Sequence, residues 1–278
     1  MALNDLEPIL ALYDAELRLS DTVDLPGFRI EREPTITRLI GVTADPDDNC
    51  ILYSALDGKT VDAAIEREIA LYGVLGHAFE WKHYQHDGPP DLAGRLRAHR
   101  FEEREPETVM LLDLSGPLPA APSLGRMEIR QVGPDELCDV DAVNLAVWGG
   151  RERAPGPALK LEMAADPDGV LVLVAYDGGL PVAVGWARFH AGSSFASLWG
   201  GSTLASHRGR GLYRALVALR AEAARRRGYR FVTVDAGAES RPVLECNGFR
   251  HLTVTTPFIR HPERATRHSA RSTARSTD

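Results

Sequence analysis

Residues 207–214 read H-R-G-R-G-L-Y-R, between an apolar stretch that contains glycines (195–204) and a strongly patterned helix (212–227). Two glycines just before a helix allow the backbone to turn so that several N–H groups point in one direction. Those unpaired donors, with the positive end of the helix dipole, favour an anion, and a phosphate group suits such a cradle. Arg208 and Arg210 add positive charge beside it. This loop is the clearest chemical signal in the sequence.

The composition is that of an ordinary globular protein, with 44% hydrophobic and 26% charged residues among 278, a length that accommodates two domains. No apolar run approaches the roughly 18 residues of a membrane span. The first residues show no basic segment followed by an apolar one, so we expect no signal peptide and a cytoplasmic location. Cys50, Cys138 and Cys246 are scattered, which predicts neither a disulfide framework nor a zinc site.

The net charge of -7 argues against a general nucleic-acid-binding protein. Residues 261–278 contain four arginines among serine, threonine and alanine, which is typical of a disordered segment rather than of a DNA-binding arm. We therefore predict a disordered basic tail over 261–278, and neither a nucleic-acid nor a membrane partner.

Residues 115–125, S-G-P-L-P-A-A-P-S-L-G, contain three prolines, two glycines and no charge, which is typical of a linker. The sequence therefore predicts one domain over 1–114 and a second over 126–260.

In the second domain, apolar spacing predicts the element order β-α-α-β-β-β-α-β-α-β. The turn Asp177-Gly178-Gly179 between two β-rich runs indicates a hairpin. The helix after the loop is expected to bury Leu212, Leu216, Leu219 and Ala223. The expected strands are 127–132, 170–176, 181–190, 195–203, 231–235 and 251–258, and the expected helices are 134–148, 157–165, 212–227 and 240–246.

The first domain is less regular, with a helix expected over 6–17 and strands over 28–33 and 36–42. From residue 61 onward its order is helix, strand, short helix ending in H-R-F, and strand. The second domain ends in the same order, with a short helix ending in N-G-F. This echo indicates a degenerate internal repeat.

Three phosphate or nucleic-acid patterns fit the loop poorly. A dinucleotide fold requires G-x-G-x-x-G after a parallel strand, whereas here the third glycine is missing and the loop follows an antiparallel meander. A Walker loop requires G-x-x-x-x-G-K-[ST], which is absent. Arg-Gly repeats that bind RNA usually lie in disordered segments. A helix entry without any ligand remains an open alternative on the loop alone.

The surroundings of the loop resemble the GNAT family of acetyl-CoA-dependent N-acetyltransferases. The resemblance rests on L-W-G-G-S-T-L-A-S-H-R-G-R-G-L-Y-R-A-L-V-A-L (198–219) and, after a strand, on S-R-P-V-L-E-C-N-G-F (240–249). The family signature R-x-x-G-x-[GA] falls on Arg208, Gly211 and Tyr213.

This resemblance covers residues 126–260 and implies an α/β (α+β) fold. Two GNAT-like domains are implied, each a mixed, mostly antiparallel sheet flanked by helices. The first domain looks like a degenerate copy that has no counterpart of the Arg-Gly loop, and we expect it to bind no CoA.

The resemblance also implies acetyl-CoA as co-substrate, bound where the fourth strand of the second domain splays from the fifth. The pantetheine arm would pair with the backbone of Gly201, Ser202, Thr203 and Leu204. A backbone N–H near Gly201 could stabilise the oxyanion. The pyrophosphate would lie on the N–H groups of Arg208, Gly209, Arg210, Gly211, Leu212 and Tyr213.

The sequence departs from the family pattern at two positions. Tyr213 stands where the family usually has Gly or Ala, and Leu244 stands where it frequently has a general-acid tyrosine. A base is needed because a free amine of pKa about 10 is mostly protonated at neutral pH. Asp235 and Glu239 are the candidate bases, although a helix-start or solvated carboxylate is the simpler interpretation of each.

Other polar and aromatic residues have two interpretations each. Trp148, Trp186 and Trp199 could line an acceptor pocket, or form core with one wet edge. The segment Glu80-Trp81-Lys82 could face a shared cleft, or serve only at a domain interface. His83 and His86 with Asp87 fit no strong metal signature, so no metal is expected.

The function predicted is direct transfer of acetyl from acetyl-CoA to a primary amine, with a small molecule as the acceptor. The alternative is a CoA-binding sensor or structural module without turnover, which the missing tyrosine favours. A nucleic-acid modifier that uses the basic tail is a third possibility. We expect a monomer or a homodimer.

Overall fold

A computed structural model describes residues 6–19, 27–150 and 153–262. The predicted tail, apart from its first two residues, lies outside these ranges. The helices are α1 Glu7–Tyr13, α2 Val61–Leu75, α3 Leu92–Ala98, α4 Leu137–Trp148, α5 Gly156–Ala165, α6 Leu212–Arg226 and α7 Arg241–Glu245. A π-helical turn, Asp14–Arg18, continues α1, and 3-10 turns cover Pro46–Asp48, Pro134–Glu136 and Ala205–His207.

Twelve strands in the described ranges form a single sheet. The strands are β1 Arg29–Glu33, β2 Ile36–Ile40, β3 Cys50–Ser54, β4 Phe79–Tyr84, β5 Glu102–Glu103, β6 Glu107–Asp113, β7 Glu128–Gln131, β8 Val170–Asp177, β9 Leu180–Phe189, β10 Phe195–Thr203, β11 Phe231–Ala236 and β12 Arg250–Arg260. Their order across the sheet is β1-β2-β3-β4-β12-β6-β11-β10-β9-β8-β7, with β5 beside β12. All pairs are antiparallel except β3–β4 and β10–β11.

The predicted fold class, a mostly antiparallel mixed sheet flanked by helices, is confirmed. The predicted element order of the second domain also matches, and every predicted element of both halves is present within a few residues. Two short strands, β3 and β5, were not predicted. Each has at most five residues, too few for an alternating pattern to stand out from its neighbours.

The two halves of the chain, here residues 6–114 and 126–262, exchange strands. Strand β6 of the N-terminal half pairs with β11 of the C-terminal half along its whole length, from Phe231↔Asp113 to Ala236↔Thr108. Strand β12 of the C-terminal half lies between β4 and β6 of the N-terminal half. The halves therefore share one continuous sheet, and the predicted boundaries at 114 and 126 stay a prediction.

Helices cover both faces of the sheet. Because side chains alternate along a strand, the residues beneath each helix define two faces. The front face carries α1 over Phe195 and Phe231, and α4 with α5 over Val172 and Trp186. The back face carries α2 and α3 on the N-terminal half and α6 and α7 on the C-terminal half. None of the helices in the described ranges is long and apolar enough to cross a membrane.

The prediction for the buried stripe of α6 was wrong at one position. Leu219 is 39% exposed, while Arg220 is 1% exposed and lies in the helix–sheet interface. Arg220 follows Leu216 by four residues, which places both on the same helix face. A charged side chain is ordinarily expected at the surface of a helix rather than against a sheet.

The parallel strands β3 and β4 separate after only two paired positions, Cys50↔Glu80 and Ile51↔Trp81. Arg18 fills this gap. Its Nε donates to the Leu52 carbonyl oxygen at 3.1 Å, and its Nη2 donates to both Asp87 carboxylate oxygens at 2.7 and 2.8 Å. The separation between β3 and β4 is thus occupied by the protein's own side chains.

The loop that leads into α2 also contains an internal hydrogen-bond acceptor. One Asp57 carboxylate oxygen accepts hydrogen bonds at 2.8 Å from the backbone N–H groups of Lys59 and Thr60, and one at 2.9 Å from the Thr60 hydroxyl. These bonds lower the pKa of Asp57. A carboxylate therefore binds the N–H groups of the loop that leads into α2.

The strand exchange predicts that cutting the linker does not separate the halves. A protease site placed at the exposed pair Ala120-Ala121 should yield two fragments that elute together in size-exclusion chromatography without denaturant, because β6 and β12 remain paired across the cut. Fragments that separate in native buffer at micromolar concentration would contradict the exchange.

The buried pair of Arg18 and Asp87, each side chain 3% exposed, predicts a large stability effect. Arg18→Met leaves the Asp87 carboxylate buried without its cation, and should lower the free energy of unfolding by about 3–5 kcal/mol in urea titrations. Arg97→Met is the control, because Arg97 and Glu103 are 53% and 41% exposed, and it should cost less than about 1 kcal/mol. Equal effects of the two substitutions would show that the Arg18 pair has no special weight.

Candidate active site

Strands β10 and β11 diverge to form a V-shaped cleft. They pair in parallel at three positions only, Phe195↔Phe231, Ala196↔Val232 and Ser197↔Thr233. Beyond them, β10 stays with β9 and β11 stays with β6. The gap lies between residues 198–203 of β10 and residues 234–236 of β11, and it opens toward the carboxyl ends of both strands.

A β-bulge at Gly200 and Gly201 shapes the β10 wall of the cleft. The register with β9 shifts between Trp199 and Ser202, which marks the bulge. Gly200 has φ +62°, and a Cβ there would lie 1.8 Å from the Trp186 ring. A Cβ on Gly201 would lie 2.7 Å from the Tyr213 ring. Both positions therefore require glycine, because an aromatic ring packs directly on each.

The Arg-Gly loop lies at the open end of the cleft, where β10 leads through a 3-10 turn into α6. Gly209 and Gly211 have φ +76° and +83°, values that favour glycine. A Cβ on Gly209 would meet no atom within 4 Å, so the loop borders open space. The first N–H groups of α6 lack acceptors within the helix. The arrangement fits a phosphate-bearing ligand.

Positively charged side chains surround this loop, and the carboxylates of Asp177 and Glu239 lie near them. The Asp177 carboxylate, in the β8–β9 turn, lies 2.8 Å from Arg126 Nε, 3.3 Å from His207 Nε2 and 3.5 Å from Arg210 Nη1. The hydrogen bond from Arg126 lowers the pKa of Asp177. Arg208 extends toward Glu239 at 3.7 Å, with both side chains largely exposed.

The two carboxylates predicted as bases lie in different environments. Asp235, on β11, is 20% exposed and lies on the front face at the mouth of the cleft, where its Oδ2 is 2.5 Å from Lys82 Nζ. Burial disfavours the ammonium, but the Asp235 carboxylate outweighs this and raises the pKa of Lys82. Glu239 is 90% exposed beside Arg208. Only Asp235 lies inside the cleft.

The N-terminal half thus contributes side chains to the cleft. Glu80, Lys82 and Tyr84 alternate along β4 and share its front face, while Trp81 between them is fully buried in the opposite core. Tyr84 Oη lies 3.2 Å from Tyr13 Oη of α1. Trp81 therefore lies in a core, while Glu80 and Lys82 lie on the face of β4 that carries the contact with Asp235.

Glu80 has an unusual protonation behaviour for a carboxyl. Burial raises the pKa of Glu80 to about 7; Lys82 opposes the shift, and Glu107, Asp47 and Asp235 add to it. A carboxyl with such a pKa changes its charge near neutral pH, as suits proton transfer.

The three tryptophans lie close to the bulge but differ in exposure. Trp199 and Trp148 are 41% and 38% exposed, whereas Trp186 is buried beneath Gly200. Trp199 Nε1 donates to the Ser197 hydroxyl at 2.7 Å, and Trp148 Nε1 donates to the Ser202 hydroxyl at 3.0 Å. The two exposed rings can therefore contact a ligand, while Trp186 shapes the bulge.

The positions that depart from the family signature have clear structural roles. Leu244 is fully buried in the core beneath α7. Tyr213 packs on Gly201, and burial raises its pKa. The sequence missed Arg220, which the helix pattern could have identified as a lone charge on an apolar stripe. In the described ranges, no group of three His, Cys, Asp or Glu side chains is arranged to hold a metal ion.

Comparison with solved structures shows the same architecture over nearly the whole chain. A GCN5-related N-acetyltransferase from Kribbella flavida aligns with a TM-score of 0.66 at 14% identity, covering 92% of this chain and 96% of that one. A tandem GNAT protein from the clavulanic acid biosynthesis pathway gives 0.59 at 14% identity, covering 92% and 94%. A GCN5-related N-acetyltransferase from Sphaerobacter thermophilus gives 0.58 at 17%, covering 92% and 91%.

At these identities the structural likeness establishes the fold. No curated protein sequence matches the chain significantly. Residues 141–249 match the model of the acetyltransferase (GNAT) family, and this stretch includes the bulge, the Arg-Gly loop and Asp235. The C-terminal half therefore contains a stretch that matches the GNAT acetyltransferase family.

Proposed function

We propose that the C-terminal half binds acetyl-CoA in the V-shaped cleft and transfers the acetyl group directly to a primary amine of a small molecule. The main support for this proposal is that β10 separates from β11 at the end where the glycine loop leads into α6. The pyrophosphate is assigned to the backbone N–H groups of residues 208–213, and the pantetheine arm to the backbone of residues 201–204.

In this reaction the amine nitrogen attacks the thioester carbonyl carbon. A C–N bond forms, the C–S bond breaks with its electron pair going to sulfur, and the amine loses a proton. A thiol of pKa about 8.5 is a tolerable leaving group as its thiolate, so the apolar Leu244 does not exclude transfer.

The side chains around Asp235 support a proton acceptor at the front of the cleft. Asp235 lies at its mouth but is bound to Lys82 at 2.5 Å. The Glu80 carboxyl makes no hydrogen bond or ion pair with the described residues, and burial raises its pKa to about 7. We assign proton acceptance to this pair of carboxylates. Glu239 receives no support, because it is exposed on the loop side.

We further propose that the N-terminal half binds no CoA. In the corresponding cleft between β3 and β4, Arg18 already donates to the Leu52 carbonyl. In the loop before α2, Asp57 already accepts N–H bonds from Lys59 and Thr60. A dianionic pyrophosphate would have to displace a carboxylate from this position, which is unfavourable.

The rival function, a CoA-binding module without turnover, is favoured by the Lys82–Asp235 contact, which engages the predicted base. Purified protein incubated with acetyl-CoA and a panel of cationic, neutral and anionic amines separates the two. We expect free thiol release and an acetylated product in mass spectra with at least one amine. Tight CoA binding without thiol release for any amine would favour the rival.

The assignment of the loop predicts a charge effect at Gly209. Asn tolerates a positive φ and is close in size to Asp, so Gly209→Asn and Gly209→Asp differ mainly by one negative charge beside the pyrophosphate. The Asp variant should bind CoA about tenfold or more weakly than the Asn variant, as measured by calorimetry. Equal affinities would place the pyrophosphate elsewhere.

The raised pKa of Glu80 predicts how the activity should depend on pH. A carboxyl of raised pKa is neutral below about pH 7 and negative above it, so its help with amine deprotonation should be present at high pH and lost as the pH falls. The wild-type to Glu80→Gln ratio of kcat/KM should rise from near one below pH 6 to a plateau above pH 8. The exposed Glu222→Gln should keep a flat ratio, and a flat ratio for Glu80→Gln would exclude the role.

A further inference from the structure

Arg220 lies beneath the bulge, on the back face of the sheet. Its Nη1 donates at 3.0 Å to two carbonyl oxygens, those of Trp186 on β9 and Trp199 on β10, and its Nε donates at 2.9 Å to the Leu216 carbonyl. A Cβ on Gly185 would lie 2.8 Å from this Nη1. The glycine on β9 therefore leaves room for the guanidinium.

The charge of Arg220 is buried without a carboxylate partner in the described ranges. Its side chain is among the largest that are fully buried. Burial lowers the pKa of Arg220 to about 10, so the guanidinium remains protonated at neutral pH. An apolar side chain of similar volume would fill this place between α6 and the sheet without the cost of desolvating a cation. Packing alone therefore does not explain an arginine here.

The two carbonyls that Arg220 binds lie at the point where the strand pairing breaks. Trp199 and Trp186 are opposite each other, and the register shifts immediately after them. A bulge leaves backbone groups without their ladder partners. The guanidinium supplies donors at this break, and so fixes the peptide that joins Trp199 to Gly200.

The orientation of that peptide determines where its N–H points. In a trans peptide the C=O and the N–H lie on opposite edges of one plane. The Trp199 carbonyl points to the Arg220 guanidinium, which also binds the Trp186 carbonyl on β9. The Gly200 N–H therefore points away from β9, toward the cleft. A cation on the carbonyl oxygen also polarises the peptide, which makes its N–H a stronger donor.

We propose that Arg220 is a positioning residue for acetyl transfer, which holds the Gly200 N–H toward the thioester oxygen and strengthens it as a donor. This inference rests on the proposed function. Negative charge develops on that oxygen when the amine attacks, and a preorganised donor stabilises it most at that moment. Arg220 thus acts through one peptide, without touching the substrate.

The test compares Arg220→Met, which removes the charge and the donors, with Arg220→Lys, which keeps a cation. The first should lower kcat about 100-fold while the Kd of CoA changes by less than about threefold, because the Arg-Gly loop is untouched. Arg220→Lys should recover part of the lost kcat. Arg225→Met, at an exposed position of the same helix, is the control and should leave kcat unchanged. Equal kcat in wild type and Arg220→Met would overturn the proposal.

An infrared measurement on bound acetyl-CoA with a ¹³C-labelled carbonyl is independent of turnover. The carbonyl band should lie lower in wild type than in solution, and should return toward the solution value in Arg220→Met. An inactive wild type that shows the shift would support this inference and contradict the proposed function. An active wild type without the shift, or one with a shift that survives in Arg220→Met, would overturn the inference alone.

A folding defect is controlled by a third variant. Should Arg220→Met not fold, as judged by circular dichroism, Arg220→Gln against Arg220→Lys gives the same comparison. Both keep a hydrogen-bond donor and only one keeps the charge. Loss of kcat and of the carbonyl shift in Gln but not in Lys supports the proposal, and equal behaviour of the two overturns it.

Discussion

The exchange of β6 and β12 between the halves is the constraint on which the rest of the structure depends. Strand β11 must separate from β10 to open the cleft, and it keeps only three paired positions there. The stability of β11 then depends on its other edge, where all six β11 residues pair with β6. Because β6 belongs to the N-terminal half, the cleft of the C-terminal half exists only when both halves are folded together.

The same exchange brings charged residues of β4 to the cleft. Strands β12 and β6 separate β4 from β11 in the sheet, yet Lys82 Nζ reaches Asp235 at 2.5 Å. The sheet must therefore curve strongly around the front face. This curvature brings residues of both halves to the front of the cleft, with Glu80 and Lys82 from one and Asp235 and Trp199 from the other.

The two halves differ at the position where the C-terminal half is proposed to bind a phosphate-bearing ligand. In each, a parallel pair of strands separates and a helix begins at the open end. In the C-terminal half Gly209 borders open space before the helix, while a Cβ on Gly211 would lie 2.8 Å from Pro122 of the linker. In the N-terminal half Asp57 binds N–H groups of the loop before α2 and Arg18 lies in the gap between the strands. Internal side chains there hold the positions that a ligand would need.

The sequence by itself predicted most helices and strands, the glycine loop before α6 and the resemblance to the GNAT family, because these depend on local periodicity and on glycines at positions that require a positive φ. It also offered Asp235 as a candidate base, and pocket lining as one of two interpretations of the three tryptophans. Only the tertiary structure decided that β6 and β12 cross between halves, that Lys82 meets Asp235, and that Arg220 rather than Leu219 faces the sheet. Each of these depends on contacts between residues far apart in the chain, for which local spacing carries no signal.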